Sequence, residues 1–173
     1  RLRAAGAHRR DDMREVTTAA GSMDPTQRPS LAGKAAPDRD KVLALVQFVG
    51  PPKDAWLRRL RATGARVVTY QPENAYLVHA SGATVARLAA LVGGDAAVRA
   101  VTPITAADKV GSQAAGEQRY AVGRVAGPGA AIAGLRVQHV RLSPAEVAEL
   151  ARDPNVVVIE PKGVPELHDE RAD

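Results

Sequence analysis

The chain of 173 residues contains no cysteine, which excludes disulfide bonds, a thiol nucleophile and a thiolate metal site. Aromatic residues make up only 3% of it, so its cores must be built mainly from Ala, Val and Leu. No apolar run approaches the roughly 20 residues that a membrane-spanning helix needs. The sequence therefore predicts a soluble protein without a membrane partner.

No strong excess of one charge is present either. The chain carries 24 basic and 19 acidic residues, a net charge of +5, which favours solubility and weak attraction to anions but identifies no partner. The first residue is Arg1 rather than Met, which predicts an upstream segment. A secretory signal is one candidate for that segment.

The patterns of an active site, a metal centre or a cofactor site are missing. No serine lies in a nucleophile-elbow context, and residues 127–129 lack the Gly-Lys-Ser/Thr end of a phosphate-binding loop. None of the histidines has a second ligand at metal spacing, and these are His8, His79, His139 and His168. We therefore predict that the chain is not an enzyme and holds no metal or cofactor.

What the sequence does contain is a repeat. Residues 81–103, SGATVARLAALVGGDAAVRAVTP, recur in shorter form over residues 143–161 as SPAEVAELARDPNVVVIEP. The first copy carries extra residues around Gly93 and Gly94. Each copy has the pattern of one helix followed by one strand, with Ser81 and Ser143 as the helix caps.

The first copy belongs to a longer run of elements. The nearly continuous apolar segment 41–49 predicts a central strand, and residues 53–63 predict a helix that ends at Gly64. Residues 65–80 predict a hairpin around the turn 71–74. With the helix from residue 84 and the strand 98–104, the order is βαββαβ. That order predicts a ferredoxin-like antiparallel sheet with both helices on one face.

The second copy belongs to an abbreviated unit. Residues 120–125 and 135–142 predict strands, residues 144–151 a helix and residues 155–159 the last strand. One helix and one strand are replaced by the loop 127–134, so this unit must pack against the first. The predicted class is α+β. Its predicted parts are a mobile leader (1–40), ferredoxin-like unit one (41–110), abbreviated ferredoxin-like unit two (117–162) and a C-terminal extension (163–173).

Two segments carry a resemblance to a known family. The run ELARDPNVVVIEP, residues 149–161, resembles the end of the inhibitory propeptides of subtilisin-like serine proteases, where a last helix leads to a strand of the form V-x-x-I/V-E-P. Residues 46–80 are similar to a variant N-terminal region of some secreted bacterial subtilases, with Gly-Pro, Trp, Gly and Tyr-x-Pro-x-Asn-Ala-Tyr signatures. The resemblance covers roughly residues 41–170. The Asp-Ser/Thr-Gly, His-Gly-Thr-His and Gly-Thr-Ser segments of the catalytic domain are absent from the sequence.

The resemblance implies a secreted propeptide that acts as intramolecular chaperone and product-like inhibitor of a subtilisin-like catalytic domain. Its sheet would pack on the enzyme, and Glu73 and Glu160 would contact the enzyme surface, with Glu73 capping an enzyme helix. The extension would be extended and mobile alone and would lie in the substrate cleft, with Leu167 as the pocket-filling anchor. The implied cleft residues are Leu167, His168, Asp169, Glu170, Arg171, Ala172 and Asp173.

Two other functions fit parts of the sequence. A free-standing ferredoxin-like regulatory or ligand-binding module would have a polar-lined pocket between its two units. A nucleic-acid-binding module would use the arginines near the first helix, Arg58, Arg59, Arg61 and Arg66. Because the central strand offers only Phe48 for base stacking, we predict no nucleic-acid partner.

Overall fold

The computed structural model describes residues 14–28, 41–114, 116–127 and 134–162. Within them the chain is α+β, with three helices and antiparallel sheets. The strands are β1 Val16–Thr18, β2 Gly21–Met23, β3 Val42–Phe48, β4 Arg66–Gln71, β5 Ala75–Ala80, β6 Val98–Pro103, β7 Gln118–Val125, β8 Leu135–Leu142 and β9 Val156–Pro161. The helices are α1 Asp54–Ala62, α2 Gly82–Gly94 and α3 Pro144–Arg152. Each strand and helix predicted between residues 41 and 161 is present within a few residues of its predicted bounds.

The first sheet contains β3 to β6 in the order β4-β5-β3-β6, with every pair antiparallel. One face packs against both α1 and α2. Alternate residues of β3, Ala44, Val46 and Phe48, lie in that core together with Leu60 of α1 and Leu88 of α2. Trp56 is only partly buried, and its ring stacks on Phe48 with the ring centroids 5.6 Å apart.

The opposite face of the first sheet is also covered. Leu43, Leu45 and Leu77 lie in a second core with Val16 of β1 and Val157 of β9. Since successive residues of a strand point to opposite faces, a central strand between two cores must be apolar throughout. That is the reason for the nearly continuous apolar run of β3.

The second sheet has the order β8-β7-β9, and α3 packs on one of its faces. Tyr120 and Val122 of β7 form the centre of this third core, with Val147 and Ala151 of α3 and Ile159 of β9. The sequence repeat is therefore a structural repeat, in which a helix leads into the strand that lies beside the central strand of each sheet.

The predicted mobile leader differs from the structure over residues 14–28. Residues 16–23 form the β1–β2 hairpin, and a 3₁₀ turn over Pro25–Gln27 follows. Val16 is fully buried and Met23 is buried, because both side chains help to cover the outer face of the first sheet. The rest of the predicted leader lies outside the described residues.

Buried residues also lie in the segment between β6 and β7. Asp108 accepts hydrogen bonds from Arg28 and Thr105, and Lys109 donates to the carbonyl oxygen of Asp153 at 2.8 Å. Both side chains are buried. This segment thus joins the N-terminal turn to the end of α3 rather than simply spanning the gap between two units.

Candidate docking face

The face of the second sheet that points away from α3 is the candidate functional site. Because Tyr120 and Val122 point toward α3, the alternate residues of β7 point the other way, and so do their cross-strand partners. We call this surface the open face. It comprises Arg119, Ala121, Gly123, Val137, His139, Arg141, Val158 and Glu160.

Cross-strand rows give the open face its shape. Gly123 lies between Val137 of β8 and Val158 of β9, and Ala121 lies between His139 and Glu160 in the next row. A Cβ atom at Gly123 would be 2.6 Å from Cγ1 of Val158, so any other residue here would force the Val158 side chain to move. Ala121 and Gly123 of β7 therefore form a shallow depression between the larger side chains of β8 and β9.

The part of the open face that contains Val137, His139 and Glu160 is exposed to solvent. Val137 retains 55% of its accessible surface, a high value for an apolar side chain, and His139 and Glu160 are exposed beside it. Glu160 makes no ion pair or side-chain hydrogen bond with any described residue. The combination of exposed apolar area with unpaired charge is typical of a surface that meets a partner.

The open face is fixed from behind by α3. Ser143 begins this helix with a capping box, in which its hydroxyl accepts from the Glu146 N–H and the Glu146 carboxylate accepts from the Ser143 N–H at 2.7 Å. At the other end, the Asp153 carboxylate accepts from Arg124 of β7 at 2.6 Å and from the N–H of Asn155. The capping box thus closes the first turn of α3, and the Arg124–Asp153 contact ties the end of the helix to β7.

A cavity of about 340 Å³ lies between the open face, the first sheet and the N-terminal hairpin. Glu160 and Val158 reach it from β9, Leu45 and Leu77 from the first sheet, and residues 16–19 from the hairpin. Most of its lining is apolar, so the cavity does not match the polar-lined pocket that we predicted for a ligand-binding module. Its polar lining residues are Thr17, Thr18, Gln71, Asp108 and Glu160.

The first sheet's contact with the second unit buries a histidine. His79 on β5 has its Nε2 buried without a hydrogen-bond partner among the described residues. Burial lowers the pKa of His79, and the positive charges of Lys41, Arg66 and Lys109 lower it further, against the opposing effect of Asp153. Burial likewise lowers the pKa of Lys109, although Asp153 partly offsets that effect.

The predicted site residues do not all come together. Glu160 lies on the open face, whereas Glu73 lies in the β4–β5 turn, where Glu73 and Asn74 adopt φ angles of 65° and 60°. Gln47 donates to the Glu73 carbonyl oxygen at 3.3 Å, which holds the turn in place. The neighbouring Gln71 and Pro72 line the same cavity as Glu160. The predicted cleft residues 167–173 lie outside the described residues.

The predicted arginine cluster is divided by the structure. Arg58, Arg59 and Arg61 are exposed on or near α1, whereas Arg66 of β4 donates to the carbonyl oxygens of Ala126 and Gly127 in the second unit. Phe48 is buried under Trp56 and offers no surface for a base. No three His, Asp or Glu side chains of the described segments gather as a metal ion requires, and no helix there has the length and hydropathy to cross a bilayer.

The sequence interpretation missed the exposed row of β8. Its signal was available, because Leu135, Val137 and His139 alternate with Arg136 and Gln138 in a strand whose neighbour β7 contains small residues. Val137 is exposed because α3 covers the other face of the second sheet, and the sequences of β7 and β8 alone do not predict which face the helix covers.

Comparison with known proteins places part of the chain in a family. A family model described as a domain of unknown function, DUF8729, matches residues 17–105, just over half of the 173 residues. The match begins in the N-terminal hairpin and ends just after β6. Neither the curated proteins nor the solved structures contain a match to this chain.

Proposed function

The chain belongs to the DUF8729 family, whose function is unknown, and we propose from its site that it is the propeptide of a subtilisin-like serine protease. In this role it assists folding of the catalytic domain and then inhibits it as a bound product does. The partner is the catalytic domain of the protease, and the setting is extracellular.

The proposal includes a finer description of the fold. The βαββαβ order, the strand order β4-β5-β3-β6 and the position of both helices on one face support a ferredoxin-like first unit. The second unit supports the same description in abbreviated form, because β7, β8, α3 and β9 correspond to β3, β5, α2 and β6. Among the described residues between β7 and β8, none forms a counterpart of α1 or β4.

One observation carries the proposal. The open face is an exposed, partly apolar sheet surface, and β9, which carries Glu160, leads directly to the C-terminal extension after Lys162. A partner that docks on the open face is therefore positioned to receive the extension as well. This is the arrangement that a product-like inhibitor needs, since backbone pairing in the cleft and docking of the sheet then act together.

The acidic contacts have separate roles in this proposal. Glu160 meets the partner within the open face, and Glu73 meets it from the β4–β5 turn, where its carboxylate caps an enzyme helix. The carboxylate at a helix N-terminus is worth about 0.3–1 kcal/mol at an exposed site. The larger share of the inhibition comes from residues 167–173 in the cleft.

Removal of the extension tests the cleft mechanism. Deleting residues 167–173 should weaken inhibition of a subtilisin-like protease strongly, with little change in the melting temperature. Leu167→Ala alone should raise the inhibition constant about 10- to 100-fold, because burying a leucine side chain contributes about 1.5–3 kcal/mol. His168→Ala is the matched control and should change the inhibition constant much less.

The paired measurement is the inhibition constant and the melting temperature, made on each variant against a panel of bacterial subtilisin-like proteases. Full inhibition without residues 167–173 would rule out the cleft mechanism. A large loss of thermal stability would mean that the extension belongs to the fold. Absence of inhibition by the intact chain across the panel, with no effect on refolding of the proteases, would contradict the propeptide proposal itself.

A second candidate function rests on the cavity of about 340 Å³. Its volume lies at the lower end of the range of small-molecule sites, and its lining is mainly apolar with a few polar groups. We propose as the alternative a module that binds a small apolar ligand there. Leu77→Trp, which fills the cavity, should then abolish ligand-induced thermal stabilisation in a small-molecule screen while protease inhibition is retained.

A further inference from the structure

The edges of the two sheets differ in how they are covered. On β4, the carbonyl oxygen of Val68, at a bulge, accepts from the N–H of Gly134 at 2.8 Å. On β9, the N–H of Gly111 donates to Ile159 at 2.9 Å. The 3₁₀ turn over Pro25–Gln27 lies against β6. Natural sheets use such coverings and bulges to prevent an edge from pairing with another chain.

Within the described parts of the chain, the outer edge of β8 has neither a covering segment nor a bulge. All eight residues of β8 pair with β7 in one continuous register, without a bulge. On the other side, no backbone hydrogen bond from residues 135–142 reaches any described residue. Because alternate residues of an antiparallel edge strand direct their N–H and C=O groups outward, β8 is a regular template for one more strand.

The first sheet shows which element would lie at this position. In that sheet β5 precedes α2 and pairs with β4 on its outer side. In the second sheet β8 precedes α3, but only the residues between Val125 and Leu135 separate it from β7, and none of the described residues there forms a counterpart of β4. The outer edge of β8 is thus the place of a strand that one sheet has and the other lacks.

The side chains of β8 indicate the chemistry of the strand that fits. Its sequence, LRVQHVRL, contains two arginines and a histidine and no acid. Arg136 makes no ion pair with a described residue, and Arg141 pairs with Glu117 in a contact that is exposed on both sides. Leu135 and Val137 add exposed apolar area. A second copy of β8 would bring cations against cations, which disfavours self-pairing.

We propose that the outer edge of β8 binds an extended acidic segment of a partner protein, which adds to the second sheet as its fourth strand. Backbone hydrogen bonds supply the affinity, and carboxylates opposite Arg136 and Arg141, with an apolar residue opposite Val137, supply the selectivity. The edge shares Val137 and Arg141 with the open face, but a strand added there pairs with the outward backbone groups of β8 and needs no protease. The inference therefore does not depend on the protease proposal.

The test uses the full chain and a synthetic probe. An antiparallel partner of β8 with matched charges reads Val-Glu-Val-Glu-Thr-Val-Glu-Val, so the probe is this peptide with blocked ends. Its titration into the ¹⁵N-labelled protein should shift the amide signals of residues 135–142 and slow their hydrogen exchange. The same peptide with lysine in place of glutamate should bind about tenfold more weakly.

Two further reagents separate strand pairing from charge attraction alone. N-methylation of alternate residues of the acidic peptide removes its donors toward β8 and should abolish binding. The double variant Arg136→Glu with Arg141→Glu should reverse the preference, so that the lysine peptide binds about tenfold more tightly than the acidic one. Circular dichroism of this variant before titration checks that it has folded.

Several results would overturn the proposal. Equal binding of the N-methylated peptide would mean that no strand is added. Signal shifts confined to other elements would place the peptide elsewhere. If the outward amides of β8 already exchange as slowly as those of β7 in the free full chain, the edge is occupied by the chain itself and not by a partner.

Discussion

At the scale of single residues, His79 is a group whose protonation near neutral pH opposes the fold. Its Nε2 is buried without a partner among the described residues, and three cations, Lys41, Arg66 and Lys109, surround the ring with one acid, Asp153. The neutral ring is therefore the form that the packed units favour. A titratable group in such a place makes the contact between the units sensitive to pH.

The sign of the pH dependence follows from the lowered pKa. Below the ordinary value of 6.5, the unfolded chain takes up a proton at His79 that the folded chain does not, so the free energy of unfolding falls as pH decreases through this value. Urea unfolding measured from about pH 8 to about pH 5 should show this loss. It should disappear in His79→Gln.

His139→Gln is the control, because His139 is exposed on β8. The pKa of the Asp153 carboxyl is also lowered, but that group affects stability only at more acidic pH, below its ordinary pKa of 3.8. If His79→Gln retains the loss of stability near pH 6.5, another group is responsible.

At the scale of elements, the sequence predicts local structure well because each helix and strand has its own signal. Ser143 and Glu146 have capping-box spacing, and the structure contains both reciprocal hydrogen bonds. Ser81 occupies the equivalent place before α2, but its hydroxyl makes no capping bond to the helix backbone and lies 3.5 Å from the Thr84 hydroxyl. Ser81 therefore lies at the predicted N-cap position but does not make the predicted capping bond, and Thr84 at the third helical position has no carboxylate for the reciprocal bond.

The two caps form a matched pair for mutation. Ser143→Ala should lower the free energy of unfolding by about 1 kcal/mol, because the Glu146 N–H loses its acceptor and the Glu146 carboxylate loses the Ser143 hydroxyl. Ser81→Ala should cost less than about 0.5 kcal/mol, because no capping bond is lost. Urea midpoints of the two variants give the comparison. Equal losses would show that the capping box contributes nothing beyond the position itself.

Packing between elements was less predictable. The apolar run of β3 correctly indicated a central strand, but it did not say what covers each face. The β1–β2 hairpin was not predicted, because Val16 and Met23 are isolated apolar residues within a polar segment. Such residues do not form the alternating apolar pattern that indicates a strand. The open face was missed for a related reason, since its exposure depends on packing between distant parts of the chain.

On the scale of the whole molecule, Arg66 links the two sheets. Its guanidinium donates to Ala126 at 2.7 Å and also to Gly127, while the β4 bulge at Val68 accepts from Gly134. The bulge and the arginine therefore hold Ala126, Gly127 and Gly134, which follow β7 and precede β8, at the edge of the first sheet. Charge, repeat and motifs gave no indication of this link.

Removal of the Arg66 side chain should weaken the contact between the sheets. We expect Arg66→Ala to lower the free energy of unfolding by about 1–3 kcal/mol, the usual range for hydrogen bonds to a charged group. Arg58→Ala, on the exposed side of α1, should change it by less than about 0.5 kcal/mol. Urea unfolding followed by Trp56 fluorescence and by circular dichroism measures the loss of free energy of unfolding. Comparison of the two signals also shows whether the first sheet and the whole chain unfold at the same urea concentration. Equal effects of the two substitutions would contradict the role of Arg66.

The position of the β1–β2 hairpin affects how the protein folds during synthesis on the ribosome. Val16 belongs to the same core as Val157, so β1 shares its core with β9, the strand that lies furthest from it along the described chain. The helical side of the first sheet can close once β6 has emerged, but Leu45 and Leu77 lack part of their cover until β9 is complete. Contacts between such distant residues are slow to form. A nascent chain that stalls before β9 therefore presents an incompletely covered sheet, the kind of surface that chaperones hold and that proteases attack.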